Sequence, residues 1–262
     1  MVTPPRNLSA VRPLKVHVLG SSAAVFVEPA HGNRDDGGTY GEQLAHQLSG
    51  AGVPTVTTHT GIWFGMVRLA LPRYEPAVRD RFPDVLVLNF GMAEAQSNAL
   101  PYSVVRHVTT WHRTSRRGAG SYRSRVVPTV WKALRSYQRW AGRLDNDRTF
   151  RQRPASFLAD LRRIIDMARK ECGCLVLLVE VDPPGPRVEH WLPGTGRRVA
   201  RYNRLLQQLA DEYDDDVRLV RTSTTVDDVE ALLPDGLHRS PEGHRRTAEM
   251  LAEEVQKWLA QA

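Results

Sequence analysis

The chain has 262 residues, of which 41% are hydrophobic and 25% charged, and its formal net charge is +7. This length and composition suit one large globular domain, or one domain with an insertion. The absence of a run of eighteen apolar residues excludes a membrane-spanning helix. Residues 1–13 are polar and proline-rich and lack the apolar core of a secretory leader, so we expect a flexible lead-in and a cytoplasmic location.

Strand and helix patterns alternate along the rest of the chain, which we expect to form a single domain over 14–262. The predicted strands cover 14–19, 54–60, 84–90, 175–181 and 217–220, and the predicted helices cover 41–48, 66–81, 155–170, 198–213 and 247–259. Pro72 and Pro76 must break or kink the second helix. Alternation of this kind predicts an α/β fold, a three-layer α/β/α sandwich with a five-stranded parallel sheet. We expect the strand order 2-1-3-4-5.

Two polar stretches at opposite ends of the chain carry the residue types of nucleophilic catalysis. The first predicted strand runs into Gly20-Ser21-Ser22, and such a small-residue turn at the carboxyl end of a strand is where an open α/β sheet places its site. Near the other end, Asp235 and His238 are three residues apart in a turn. A carboxylate at that spacing can orient the imidazole, which then accepts a proton from a serine. Ser240 and Pro241 indicate the start of the last helix.

These two stretches resemble motif blocks of the SGNH, or GDSL-type, hydrolase superfamily. The block at residues 18–22, Val-Leu-Gly-Ser-Ser, is similar to the family's Gly-Asp-Ser block, with Ser21 in the usual Asp position. The block at residues 235–244, Asp-Gly-Leu-His-Arg-Ser-Pro-Glu-Gly-His, matches the last family block closely. The resemblance implies Ser22 as nucleophile, His238 as base and Asp235 as the residue that orients it. His244, one turn into the last helix, is interpreted as structural.

The resemblance also implies an oxyanion hole made by the Ser22 N–H, a glycine N–H after the second strand and an Asn side chain after the third. Gly65 is the expected glycine, from its spacing to Asp84, and Gly61 is the alternative. The Asn is missing, because the family's Gly-x-Asn-Asp/Glu reads Gly91-Met92-Ala93-Glu94 here.

Three explanations for the missing Asn are open. Gln96 or Asn98 can supply the donor, two backbone donors can suffice for an activated ester, or the site is catalytically weak and binds a ligand. Gly91, Met92 and Glu94 are candidate substrate contacts, although Glu94 could instead accept hydrogen bonds from loop backbone.

The insertion over 98–153 follows the third strand and holds most of the basic excess. Residues 100–153 contain 13 Lys or Arg and 2 acidic residues. The insertion also holds several aromatic side chains (Tyr102, Trp111, Tyr122, Trp131, Tyr137 and Trp140), and 130–144 has helical periodicity. We interpret it as a lid over the crevice that attracts an anionic substrate or an acidic carrier protein. The alternative is a solvated basic helical pair or an oligomer contact.

Other features limit the function classes. P-loop and dinucleotide-binding motifs are absent, so no cofactor is expected. Gly-x-Ser-x-Gly is also absent, which argues against an ordinary α/β-hydrolase. Cys172 and Cys174 flank one glycine, too close for an unstrained disulfide and without a zinc-type cluster, so we expect reduced thiols. The sequence predicts a serine esterase acting on a small-molecule carboxylic ester through an acyl-serine. Its rivals are an acyltransferase, a non-catalytic relative that binds a ligand, and a nucleic-acid-binding module that uses the basic segment.

Overall fold

The computed structural model describes residues 12–25, 38–62, 65–96, 122–144, 151–213, 215–222 and 230–261. Five strands form one parallel sheet: β1 (Leu14–Gly20), β2 (Thr55–Gly61), β3 (Val85–Asn89), β4 (Leu175–Val179) and β5 (Val217–Val220). Their order in the sheet is β2-β1-β3-β4-β5. This confirms the predicted sheet and its 2-1-3-4-5 order.

Nine α-helices are described around the sheet: α1 (Ser22–Val25), α2 (Tyr40–Gly50), α3 (Tyr74–Ala77), α4 (Met92–Ala95), α5 (Tyr122–Leu144), α6 (Pro154–Cys172), α7 (Pro186–Trp191), α8 (Thr195–Asp211) and α9 (Pro241–Leu259). Helix α9 begins at Pro241, the start that Ser240 and Pro241 predict, six residues before the predicted segment 247–259. Its N-cap is Ser240, whose side chain accepts from the Gly243 N–H at 3.1 Å. No described helix is long and apolar enough to cross a membrane.

The central strands are apolar on both faces, and each face has its own core. On one face β3 and β4 contribute Leu86, Leu88, Val176 and Leu178, which pack against α6, α8 and the segment 67–78. On the other face the alternate residues Val85, Val87, Leu175 and Leu177 pack against α2 and α9. Two covered faces make the three-layer sandwich that the alternating pattern predicts.

The segment 66–81, predicted as a helix that Pro72 and Pro76 break or kink, is broken into several short helical turns. It forms three short 3-10 helices, Val67–Leu69, Leu71–Arg73 and Arg79–Arg81, together with the single turn of α3. Pro72 and Pro76 lack the N–H that a continuous helix needs, so each interrupts the hydrogen-bond ladder. The result is a tightly folded connection between β2 and β3 that keeps its first residues, Met66 and Val67, fully buried.

The structure also changes the boundaries of two predicted segments, the N-terminal lead-in and the helix of the insertion. Arg12, inside the predicted lead-in, forms an ion pair with buried Asp84, with Nη2 2.6 Å from Oδ1 and Nη1 3.1 Å from Oδ2. The ordered body therefore starts before residue 14. In the insertion, α5 begins eight residues before the predicted 130–144 helix and packs against α7. The rest of the predicted lid, 98–121 and 145–150, lies outside the described residues.

Candidate active site

The structure brings together the three side chains that the motif blocks predicted. Ser22 Oγ lies 3.1 Å from His238 Nε2, although the two residues are 216 positions apart in the chain. On the other side of the ring, His238 Nδ1 lies 2.5 Å from Asp235 Oδ2. Serine, imidazole and carboxylate are thus within hydrogen-bond distance in series, the arrangement that lets a neutral imidazole take a serine proton.

Ser22 reaches this position because β1 ends in a tight turn at the carboxyl edge of the sheet. A Cβ on Gly20 would lie 2.6 Å from Ala24 Cβ and 2.9 Å from the Asn89 carbonyl oxygen, so a side chain does not fit there. The Ser21 N–H donates to that same carbonyl at 3.0 Å. Ser22 is then the first residue of α1, two residues after the end of β1.

The turn that carries His238 is organised by Asp235. One carboxylate oxygen, Oδ1, accepts the N–H groups of Leu237 at 2.8 Å and His238 at 3.1 Å, which leaves Oδ2 for the ring. Burial raises the pKa of Asp235, but the hydrogen bonds from His238 and from these backbone N–H groups outweigh it and hold the pKa below its usual value. The ionised carboxylate fixes the proton on Nδ1 and leaves the Nε2 lone pair toward Ser22.

Two contacts that the sequence analysis missed hold this turn against β4. Arg239, the residue after His238, lies with Nη2 2.6 Å from Asp182 Oδ2, and both side chains are almost fully buried, with 2% and 6% exposed. Asp182 also accepts from Thr222 Oγ1 at 2.8 Å. The backbones of Gly185 and Gly236 touch, with the Gly185 N–H donating to the Gly236 oxygen at 2.9 Å. A polar residue just beyond a buried strand, as at Asp182, was the available signal.

Of the two candidate glycines, Gly65 lies against the serine turn. A Cβ on Gly65 would be 2.8 Å from Ser21 Cα and 3.0 Å from Ser21 Cβ. Gly61 is instead paired with Gly20 at the end of β2, and its face is covered by Val25. Gln96, half-buried, directly follows α4, whereas Asn98 lies outside the described residues.

The loop after β3 differs from the predicted substrate contact at one position. Glu94 has no exposed surface, and its carboxylate accepts the Val67 N–H on Oε1 at 2.7 Å and the Gly91 N–H on Oε2 at 2.9 Å. Its assignment as a substrate contact is therefore corrected to the alternative, a hydrogen bond to loop backbone. Met92 and Ala93 keep 8% exposed, and the Ala93 side chain has no donor. Burial raises the pKa of Glu94 to about 7, against the effect of these hydrogen bonds.

His244 has the structural place that the sequence analysis gave it. Its ring is buried, and Nδ1 accepts the Tyr40 N–H at 3.1 Å, which joins α9 to the start of α2. In the part of the chain that the structure describes, no three His, Cys, Asp or Glu side chains are grouped so as to hold a metal ion. Neither Cys172 nor Cys174 forms a disulfide, and both are buried.

Comparison with known proteins agrees with this architecture. The model of the GDSL-like lipase/acylhydrolase family matches residues 18–246. The fold is similar to a lipase/acylhydrolase from Enterococcus faecalis, with a TM-score of 0.60, 14% identity and coverage of 93% of this chain and 96% of that one. It is also similar to a family 3 carbohydrate esterase from Clostridium thermocellum, with a TM-score of 0.55, 13% identity and coverage of 95% and 98%.

An acetyl xylan esterase, AlAXEase, has a TM-score of 0.56 at 17% identity, with coverage of 92% of this chain and all of the other. A search of curated protein sequences finds no match. The likenesses at these low identities concern the fold, whereas the family model spans both the serine turn and the Asp-His turn. The chain belongs to the GDSL-like lipase/acylhydrolase family, whose members and structural neighbours support ester hydrolysis as its general activity.

Proposed function

We propose that this protein is a serine esterase that cleaves a carboxylic ester through an acyl-Ser22 intermediate without a cofactor. The observation that carries the proposal is the 3.1 Å contact between Ser22 Oγ and His238 Nε2, with the Asp235 carboxylate on the opposite ring nitrogen. Family membership supports ester hydrolysis in general. The residue roles and the acyl-enzyme are our assignment.

In this mechanism the hydroxyl of Ser22 attacks the ester carbonyl carbon while its proton moves to His238 Nε2. The carbonyl electron pair moves onto oxygen, and the oxyanion accepts hydrogen bonds from the N–H groups of Ser22 and Gly65. When the tetrahedral intermediate collapses, the bond to the alcohol oxygen breaks and the imidazolium returns the proton to that oxygen. Water then attacks the acyl-serine with the same base, and the acid and free serine are released.

Ala93 leaves this oxyanion hole without the usual Asn donor, and the lost donor is expected to reduce the rate by about 10²–10³-fold. We propose that Gln96 or Asn98 supplies a donor from the same loop, or that the substrate is an ester whose alcohol leaves readily. Gln96→Ala and Asn98→Ala together separate these explanations, because a variant lowers kcat on every ester only if the replaced side chain donates. Gly91 and Met92 remain our candidate substrate contacts.

Labelling with a fluorophosphonate probe tests the nucleophile. Wild-type protein is expected to take up one probe per chain, and Ser22→Ala none. Ser21→Ala is the matched control, since it removes the neighbouring hydroxyl but keeps the turn, and it is expected to label. Labelling of Ser22→Ala, or loss of labelling only in Ser21→Ala, contradicts the assignment. An ester panel with product analysis in the presence of an added alcohol then separates hydrolysis from acyl transfer.

We further propose that the basic insertion borders the crevice and favours anionic esters or acyl groups on an acidic carrier. Helix α5 has six Lys or Arg and no acidic residue in its 23 positions. Arg139 lies against α7, with Nη1 3.1 Å from His190 Nε2 and its guanidinium over the Trp191 ring. Helix α7 follows Gly185, which touches the turn that carries His238. This chain of contacts connects the basic helix to the site.

Lys132→Gln with Arg143→Gln tests the role of this charge, because both side chains are exposed on α5. The double variant is expected to raise KM for anionic esters and leave KM for neutral esters unchanged. Lys170→Gln, at the end of α6 and at the amino edge of the sheet, is the matched control. Equal KM changes for charged and uncharged esters would remove the electrostatic proposal.

A further inference from the structure

Glu94 connects two loops that meet beside Ser22. Its Oε1 accepts the N–H of Val67, two residues after Gly65, and its Oε2 accepts the N–H of Gly91, which starts the loop after β3. The side chain has no exposed surface. An ionised carboxylate is costly to bury unless it is hydrogen-bonded, and the hydrogen bonds described for this one come from backbone N–H groups of the two loops.

The loop that Glu94 holds lies against the serine turn. Gly65 is close enough to Ser21 that a Cβ on the glycine would lie 2.8 Å from Ser21 Cα. Met66 and Val67, which follow it, are fully buried, so the loop is packed on its far side as well. The Val67 N–H bond is therefore the polar contact that joins this loop to the β3 loop, next to the proposed oxyanion hole.

Helix α4, which carries Glu94, is itself held from its other end. Buried Arg198 of α8 donates from Nε to the Ala95 carbonyl at 2.5 Å. Gly91, at the start of α4, has φ of +130° and packs against Val181, so its backbone is also constrained. A carboxylate on a fixed helix turn can define the position of the Gly65 loop to within a hydrogen-bond length.

We propose that Glu94 is a positioning residue for ester cleavage: its carboxylate holds the Gly65 loop so that the Gly65 N–H faces the oxyanion formed at Ser22. The inference rests on the proposed function. It also assigns a use to the acidic residue of Gly91-Met92-Ala93-Glu94, a block whose Asn is missing. With that Asn absent, the backbone donor of Gly65 contributes a larger share of oxyanion binding, and its placement matters more.

The proposal has a pH signature. Protonation converts one acceptor oxygen of Glu94 into an O–H, a hydrogen-bond donor and a weaker acceptor than the carboxylate oxygen, so its bond to the backbone N–H is weakened. Among the described residues, the charged and titratable groups that interact with the carboxylate are Arg151, before α6, and Tyr202 of α8. Burial raises the pKa of Glu94 to about 7, so Glu94 is expected to contribute to the acidic limb of the pH profile of kcat/KM.

Glu94→Gln is the main test. The amide keeps the shape but has one acceptor oxygen, so one of the two backbone N–H groups faces an NH₂ donor. We expect kcat to fall about 10- to 100-fold with KM changed less than about threefold, because the lost interaction acts on the transition state. The fall of kcat/KM at acidic pH should also become less steep. Active sites are counted by fluorophosphonate titration, so partial unfolding does not enter kcat.

Asp84→Asn is the matched control. Asp84 is also a buried carboxylate that accepts a backbone N–H, from Lys15 at 2.9 Å, but it lies before β3 at the opposite edge of the sheet. It is expected to lower stability and leave kcat per active site and the pH profile unchanged. A purely structural role for Glu94 predicts the same result for Glu94→Gln.

Glu94→Asp covers the case in which Glu94→Gln does not fold. Glu94→Asp keeps the charge and the hydrogen bond from the nearby Gly91 N–H. Its side chain is one methylene shorter and does not reach the Val67 N–H, so kcat is expected to fall about tenfold or more. If a folded Glu94 variant has the same kcat and pH profile as the wild-type protein, the proposal is overturned. A wild-type protein that cleaves no ester and takes up no probe contradicts instead the proposed function, so the two failures are distinguishable.

Discussion

The buried ion pair between Asp182 and Arg239 gives the sharpest test of how the turn that carries His238 is held. Asp182→Asn keeps the size of the side chain and removes its charge, which leaves the Arg239 guanidinium, 2% exposed, without a counterion. Breaking a buried pair from one side costs about 3–5 kcal/mol, because the remaining charge stays desolvated. Total stabilities are about 5–15 kcal/mol, so the loss is a large fraction of the whole.

The matched control is the exposed pair between Arg162 and Glu212. Its atoms Nη2 and Oε2 are as close, at 2.6 Å, but the side chains are 40% and 45% exposed. Glu212→Gln is expected to cost less than about 1 kcal/mol, because solvent screens the pair and hydrates whichever partner remains. Equal separation with unequal burial isolates the effect of desolvation.

Urea unfolding followed by circular dichroism measures both variants. A loss of 3–5 kcal/mol corresponds to a midpoint shift of about 1 M or more for a slope of about 3 kcal/mol/M. The double variant Asp182→Asn, Arg239→Met should recover part of the loss, since no unpaired charge is then buried. If Asp182→Asn and Glu212→Gln shift the midpoint equally, the reasoning from burial is refuted.

Three further predictions concern other parts of the fold. Gly91→Ala should lose about 1–3 kcal/mol in urea unfolding, because φ is +130° and the new Cβ would lie 2.5 Å from Val181 Cγ2; Gly50→Ala, with open space around it, is the neutral control, and equal losses would contradict this. Burial lowers the pKa of His17 to about 3, so the unfolded chain binds an extra proton below pH 6.5. Unfolding free energy should therefore fall by up to about 1.4 kcal/mol per pH unit as the pH drops from 6.5 toward 3, and His17→Gln should flatten that slope. Burial raises the pKa of Cys174 to about 12, so its thiol should react with a disulfide reagent only after unfolding; rapid labelling of the native protein would be the contrary result.

Much of the fold could be predicted because local patterns determine it. The β3 and β4 strands are continuous apolar runs, which is typical of parallel strands buried on both faces, and Ser240 caps α9 through a contact three residues away. The contact between Ser22 and His238 could be predicted because each residue belongs to a recognisable motif block, and the carboxyl edge of such a sheet is where the site is expected.

The parts that could not be predicted depend on contacts between distant segments. Glu94 lies in a motif block and is predicted as a candidate substrate contact. Its observed partner, the Val67 N–H, lies 27 positions earlier, in the segment predicted as a helix that prolines break or kink. Val67 is the first residue of its 3-10 helix, where a backbone N–H has no acceptor within the helix, so this N–H can donate to Glu94. Neither Asp182 nor Arg239 alone indicates a buried ion pair in the sequence. The two side chains meet only when the sheet has formed and the turn that carries His238 lies against it.

The 216 positions between Ser22 and His238 also set when activity can arise during folding. The first and last parts of the chain must both be docked before a base reaches the hydroxyl, and the Tyr40–His244 contact joins the same two regions. In the proposed mechanism, a growing or refolding chain in which only four strands have formed has no base beside Ser22 and cannot cleave an ester. Turnover by this mechanism therefore reports that the segments carrying Ser22 and His238 have both docked.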